Sequence, residues 1–140
     1  MRGQQSAEFN ANELEVKLSG RAGNVSFGGV KFNWSFASSL RRRLPHQIGL
    51  EFFDADKIGN KIILRHWRAG DRFQPIGLKA AAKLQDLFTN AKIPREQRRE
   101  LVVATTTGGE IFWVESLRIS EKFKLTPETI RRLVWRWWRP

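Results

Sequence analysis

Val30, Phe32, Trp34 and Phe36 occupy every second position of one run, with Lys31, Asn33 and Ser35 between them. Only an extended strand puts that spacing on one face, because a helix would scatter the four side chains around its circumference. Neighbouring segments read the same way. Leu14, Val16 and Leu18 alternate with Glu15 and Lys17, residues 20–24 form a turn, and Val25 and Phe27 lead to Gly28-Gly29, a bulge or second turn. The early chain is therefore a β-meander, taken as residues 13–50, after a polar and disordered stretch at 1–12. Arg41-Arg42-Arg43 ahead of Pro45 is a loop signal, read as solvated rather than as a nucleic-acid contact.

Beyond residue 50 the pattern becomes mixed, and residues 51–140 are taken as the domain core. Residues 51–57 and 61–67 are apolar-rich runs separated by Ile58-Gly59-Asn60, the second a strand that enters a sharp loop at Ala69-Gly70-Asp71. After Phe73, Pro75 and Gly77, the residues Ala80, Leu84, Leu87, Phe88 and Ala91 recur at helical spacing and leave Lys79, Lys83 and Asp86 outside. Pro94 opens a further helical turn at its first position, on which Arg95, Arg98 and Arg99 share a face. Residues 101–106 and 110–114 flank Thr107-Gly108-Gly109, a hairpin signal because Gly-Gly supplies the positive φ angles of a tight turn. Thr126 as N-cap, Pro127 and Glu128 start a terminal helix with Ile130, Leu133, Val134 and Trp137 as its apolar stripe. The fold class is α+β, with small antiparallel hairpins packed on two or three helices.

Of the 140 residues 41% are apolar and none is Cys, which allows a core without disulfides or a thiolate metal site and fits a reducing compartment. No run of about 18 apolar residues exists, so neither a membrane span nor a secretory signal is expected. Charge is the informative quantity: 25 Lys and Arg against 14 Asp and Glu leave +11. Residues 1–60 carry 8 basic and 6 acidic side chains, residues 61–140 carry 17 and 8. The partner is an anion met by the second part of the chain. RNA leads, since arginine forks match phosphate oxygens and phosphate neutralisation releases counterions; an anionic membrane surface is the rival, encouraged by six Trp.

Catalytic apparatus is sparse. His46 and His66 stand in separate contexts without a Cys, Asp54 and Asp56 read as turn-ordering residues rather than Mg²⁺ ligands, and no G-x-x-x-x-G-K-[ST] or G-x-G-x-x-G loop occurs. No catalytic or metal residue is assigned. Binding candidates come in three groups. Arg65, Arg68 and Arg72 bracket Gly70-Asp71, which is either a rigid phosphate clamp or a turn closed by Asp71 pairing with an adjacent Arg. Lys92, Arg95, Arg98 and Arg99 form an RNA-contacting face that Glu96 and Glu100 neutralise incompletely. On the terminal helix Arg131, Arg132, Arg136 and Arg139 make the polar side, and Trp135 among them either stacks on a base or covers another element.

The run RHWRAGDRFQPIGLKAAAKLQDLFTNAKIPREQRREL followed by GGEIFWVESLRISEKFKLT resembles the C-terminal domain of bacterial tRNA(Ile)-lysidine synthetase. The resemblance is carried by Arg68, Gly70, Asp71, Arg72, Phe73, Pro75 and Gly77, by Lys83, Leu84 and Phe88, by Lys92 to Arg95, and by Trp113, Leu117, Arg118, Ile119 and Phe123, with Asp54, Asp56 and Lys57 upstream. It covers about residues 52–126. It implies a cytoplasmic enzyme that uses ATP, Mg²⁺ and lysine to convert the wobble cytidine of an isoleucine tRNA to lysidine. In that family an N-terminal domain with an S-G-G-x-D-S loop does the chemistry, and the C-terminal domain reads the acceptor stem. Here only Ser19-Gly20-Arg21 is present, so a non-catalytic part without cofactor is expected, partnered by the tRNA(Ile) acceptor stem and by its own catalytic domain, with no membrane. The resemblance adds Lys83 and Arg118 to the RNA-binding candidates and implies a unit similar to one in the phenylalanyl-tRNA synthetase β-subunit. The chain departs from the family at Ala80-Ala81-Ala82 and in its Trp-rich end. A stand-alone basic RNA-binding module, a membrane-surface module and a small independent enzyme are the alternatives.

Overall fold

A computed structural model describes residues 12–38 and 48–140. Its elements in chain order are β1 (Glu13–Lys17), β2 (Ala22–Phe27), β3 (Val30–Ser38), β4 (Leu50–Asp54), α1 (Ala55–Ile58), β5 (Lys61–His66), β6 (Arg72–Phe73), β7 (Ala82–Lys83), α2 (Leu84–Asn90), α3 (Arg95–Arg98), β8 (Val102–Thr106), β9 (Ile111–Val114) and β10 (Arg131–Trp138). Two four-stranded antiparallel sheets form, ordered β1-β5-β8-β9 and β2-β3-β10-β4, with β6 and β7 as a separate pair.

The alternation of β3 does what its spacing dictates. Val30, Phe32 and Trp34 are buried while Lys31 and Asn33 are exposed, and the turn from β2 is tight because Gly28 and Gly29 both take positive φ, 59° and 84°. Those rings meet Ile62 and Leu64 of β5, Val102 and Ala104 of β8 and Phe112 and Trp113 of β9 in one core between the two sheets. A second core lies on the opposite side of β8 and β9. There Val103, Ile111 and Val114 pack with Leu101, Phe73, Leu84 and Phe88, so a thin layer of β6, β7, α2 and α3 covers the β1-β5-β8-β9 sheet. The fold is thus α+β in three layers; β8 feeds both cores because successive strand residues point to opposite faces, and in β9 a register shift opposite Ala104 and Thr105 puts both Phe112 and Trp113 in the first core and leaves Ile111 and Val114 for the second.

Several expectations change. The terminal segment is the strand β10, not a helix, inserted between β3 and β4. Its residues 130, 133, 134 and 137 satisfy a helical stripe, but Leu133, Trp135 and Trp137 also alternate, and pairing on both edges satisfies the backbone groups along most of the strand. Thr126 and Thr129 instead close one turn, with Thr126 N–H donating to Thr129 Oγ1 at 2.9 Å. The expected helix around residues 80–91 begins only at Leu84, because Ala82 and Lys83 pair with Phe73 and Arg72. Asp54 caps α1, accepting Asp56 N–H at 3.1 Å, so the apolar-rich run of residues 51–57 is a strand that passes directly into one helical turn. Strands of the 13–50 region do not stand apart: β1 pairs with β5, and β3 and β4 flank β10. The 1–12 segment, apart from Asn12, and Arg41-Arg42-Arg43 lie outside the described residues.

Candidate nucleic-acid interface

The loop after β5 is organised by one carboxylate. Asp71 accepts both terminal nitrogens of Arg65, at 2.9 and 3.0 Å, and the backbone N–H of Arg68 at 2.8 Å, while Leu84 N–H donates to the Asp71 carbonyl at 2.8 Å. Arg65 is buried, so its charge requires that bidentate partner. Of the two readings of this loop, the turn closed by an Arg–Asp pair is the one adopted at Arg65, which removes Arg65 from the solvent-facing set. Arg68 is exposed and pairs with Glu13 at 2.6 Å. Arg72 donates to the Ala81 carbonyl at 3.1 Å and sits directly across from Lys83 in the β6–β7 register. Two like charges facing each other across a two-residue ladder oppose its pairing, a cost without benefit to the fold.

The next cations follow from the way α2 ends. Ala91 closes the helix and Lys92 takes the left-handed conformation, φ 60°, so that Lys92 N–H reaches Thr89 O and Ile93 N–H reaches Phe88 O, both at 3.0 Å. This is a Schellman stop, and its usual apolar contact is present, since Ile93 packs in the core that holds Phe88. The chain then turns through Pro94, at the N-cap rather than at the first helical position, into α3. Arg98 is fixed there by Nε donation to the Ile93 carbonyl at 2.9 Å and by its place 5.9 Å from the Phe88 ring centre. Arg95 and Arg99 are exposed, and none of the ion pairs among the described residues involves Arg95, Arg98 or Arg99. Glu100 lies toward Arg139, whose guanidinium bonds its carbonyl. The three arginines line one groove of about 290 Å³ with Trp67 and Gln85.

The third group does not assemble. Because β10 is a strand, Arg131 and Arg132 point to opposite faces of its sheet. Arg131 lies 4.5 Å over the Phe36 ring and 3.8 Å from Asp56, and Arg132 is buried beside Phe52. Trp135 is fully buried among Phe32, Phe112 and Trp113, with ring centres 5.0, 5.6 and 5.8 Å away. It covers another element, as one of the two readings held, and no base can reach it. Arg118 is exposed on a different, mostly apolar groove of about 900 Å³ shared with Lys124, Leu117 and Trp137. Arg139 grips the buried Glu115 through two hydrogen bonds of 2.9 and 3.0 Å, and that carboxylate holds the guanidinium pKa above its ordinary value.

Sequence reasoning missed Trp67. Its ring stands edge-to-face on Phe88 at 5.7 Å, and only the fold of the helical layer brings it beside arginines that lie far downstream. The single cue in the sequence is its position in the strand exit, one residue before Arg68. Among the described residues no helix is long and apolar enough to cross a membrane.

Residues 62–135 match the family described as the TilS substrate C-terminal domain. The tRNA(Ile)-lysidine synthase of Clostridium acetobutylicum is 46% identical over 87 residues, 62% of this chain and 19% of that protein. That of Clostridium tetani is 42% identical over 127 residues, 87% of this chain and 27% of that protein. The chain therefore spans about a fifth to a quarter of the length of these relatives. A crystal structure of a TILS C-terminal domain superposes with a TM-score of 0.72 at 20% identity, covering 91% of this chain and 97% of that one. An N-terminal fragment of the phenylalanyl-tRNA synthetase β-subunit from Pyrococcus horikoshii gives 0.54 at 16% identity, over 65% of this chain and 28% of that one. Both structures speak for the fold alone.

Proposed function

The chain belongs to the TilS substrate C-terminal domain family of tRNA(Ile)-lysidine synthases, and from that premise we propose that it is the tRNA-binding domain of an ATP-dependent tRNA(Ile)-lysidine ligase, directed at the acceptor stem. The observation that carries this reading is the set Arg95, Arg98 and Arg99, three guanidiniums held on one short element with no carboxylate partner among the described residues. Cations that stabilise a fold are normally paired; cations left bare are available to phosphate oxygens. Arg72, Lys83 and Lys92, exposed on the same layer, extend the basic surface. An acceptor stem is A-form RNA, whose recognition relies on backbone phosphates and 2′-hydroxyls of a shallow minor groove, and a cluster of solvent-accessible arginines suits that chemistry. In this proposal ATP, Mg²⁺ and lysine are handled by the enzyme's catalytic domain, and this chain performs no step of the chemistry.

The test is a titration of the chain with an isoleucine tRNA acceptor minihelix and a scrambled duplex of equal length at several salt concentrations. Arg95→Glu with Arg99→Glu should weaken minihelix binding at least tenfold and flatten the salt dependence, while thermal stability stays within about 0.5 kcal/mol because exposed charges contribute little to folding. Unchanged affinity for the minihelix in this double variant would remove the face from the interface, and tighter binding to anionic vesicles than to either RNA would favour a membrane partner.

A further inference from the structure

A ridge that only tracks a duplex backbone needs charge and nothing else, yet Arg95, Arg98 and Arg99 do not stand on a ridge. They line a concavity of about 290 Å³ whose other walls are the Trp67 indole and the Gln85 amide. An indole offers a planar apolar surface, for which a phosphate has no use, and an amide offers N–H donors beside a carbonyl acceptor, of which a phosphate can use only the donors. Both match a nucleobase, which has a π-face for stacking and a polar edge. The volume lies at the small end of ligand pockets, the scale of one nucleotide rather than of a helical groove.

The walls are also rigid before any ligand arrives. Trp67 is held by its edge-to-face contact with Phe88 at 84° between ring planes, Phe88 is fully buried, and Arg98 is tied to the Ile93 carbonyl. Preorganised aromatic and guanidinium groups lose little freedom on binding. Arg95 and Arg99 are the exposed members, placed at the groove where a phosphate can meet them.

We propose that this groove captures one unpaired nucleotide of a bound RNA, with its base stacked on Trp67, its edge met by Gln85 and its phosphate held by Arg95 and Arg99. The inference rests on the tRNA-binding reading of the same face and adds that the face distinguishes single-stranded from paired nucleotides.

Three hairpin RNAs with one common stem separate the possibilities: a blunt hairpin, one with a short 3′ single-stranded tail, and one whose tail is abasic and so carries the same phosphates without bases. The wild-type chain should bind the base-bearing tail about tenfold more tightly than the abasic tail at fixed salt, the size expected for one stacked base. Trp67→Leu should cut that preference below twofold, with the loss falling on the base-bearing tail far more than on the blunt hairpin, and should lower the thermal midpoint somewhat through the lost ring contact with Phe88, whereas Trp67→Phe, which keeps a ring there, should retain part of the preference. Equal wild-type affinity for the two tails overturns the proposal, as does a Trp67→Leu variant that keeps the full preference or loses affinity for all three hairpins alike. Arg95→Glu with Arg99→Glu makes the two failures distinguishable. If it weakens all hairpins while the two tails bind equally, the basic face stands and the nucleotide groove falls; if it weakens none, the tRNA-binding reading falls as well.

Discussion

At the ends of β10, Arg131 is placed over Phe36 and against Asp56, and Arg139 is locked to a buried Glu115; on the helical layer, Arg95 and Arg99 reach solvent without a counter-charge among the described residues. Both regions are rich in arginine, and Arg131 and Arg139 are exposed like Arg95 and Arg99, so neither composition nor burial separates them; the carboxylate beside each strand-end arginine does. Where a guanidinium is withdrawn from water, desolvation demands an anion, and Arg65 with Asp71 shows the rule holding inside the helical layer too. Where it is not withdrawn, no partner is needed for stability, and an exposed charge with no carboxylate beside it is open to a ligand. The same segment therefore holds a structural cation, Arg65, and unpaired cations, Arg95 and Arg99, within a few dozen residues.

The sharpest way to break this contrast is at the ring cluster of the terminal strand. Trp135→Ala removes a fully buried indole from between Phe32, Phe112 and Trp113 and should destabilise the domain by about 4 kcal/mol in urea unfolding. Trp135→Phe should cost much less, since the indole N–H finds no hydrogen-bond partner among the described residues and its loss is no penalty. A Trp135→Ala protein of wild-type stability with impaired RNA binding would place this side chain on the surface after all. Next in size, Asp71→Ala leaves Arg65 buried and unpaired and should cost about 3 kcal/mol, where a solvated Asp–Arg pair would cost less than 1.

Smaller effects probe the helical layer. Lys92→Gly relieves a side chain from the left-handed region and should stabilise the domain by about 0.5 to 1 kcal/mol while lowering RNA affinity modestly through the lost charge. A destabilised Lys92→Gly would mean that the lysine stem packs usefully against α2. The least effect is expected at Glu121, whose carboxyl is held below its ordinary pKa first by the Gly77 N–H at 2.9 Å and then by Lys124. A lowered folded-state pKa contributes stability above the unfolded value that is lost as pH falls through the folded one. Glu121→Gln should therefore lower the thermal midpoint slightly at neutral pH and hardly at all in acid, which flattens the acid limb of the profile. A steeper acid limb would contradict the assignment.

Local signals were strong where a residue type has one physical use. Gly28-Gly29 and Gly108-Gly109 marked two hairpins, because few residues other than glycine take positive φ at low cost, as Gly28, Gly29 and Gly109 but not Gly108 do, and the alternation of β3 fixed which face is buried. The Arg95, Arg98, Arg99 face was equally legible, since three charges at i, i+3 and i+4 share one side of a helical turn whatever surrounds it. Trp135 and the other terminal residues were not, because their apolar spacing fits a helix and a strand alike.

The sequence by itself determined the fold class, the family, the β2–β3 and β8–β9 hairpins and the excess of positive charge in the second part of the chain, all of which are written in residue identities or in local spacing. The tertiary structure alone decided that β10 is a strand, that Arg65 and Arg132 are buried, and that Trp67 meets Arg95, Arg98 and Arg99 in one groove. Each of these depends on partners distant in sequence: an open slot between β3 and β4, the strands β1 and β8 that enclose the Arg65 strand, and a helical layer folded back over β8 and β9. Local periodicity carries no record of such partners. Burial and pairing between distant segments, which set the stability of an ambiguous segment and the availability of a charge, are properties of the packed chain.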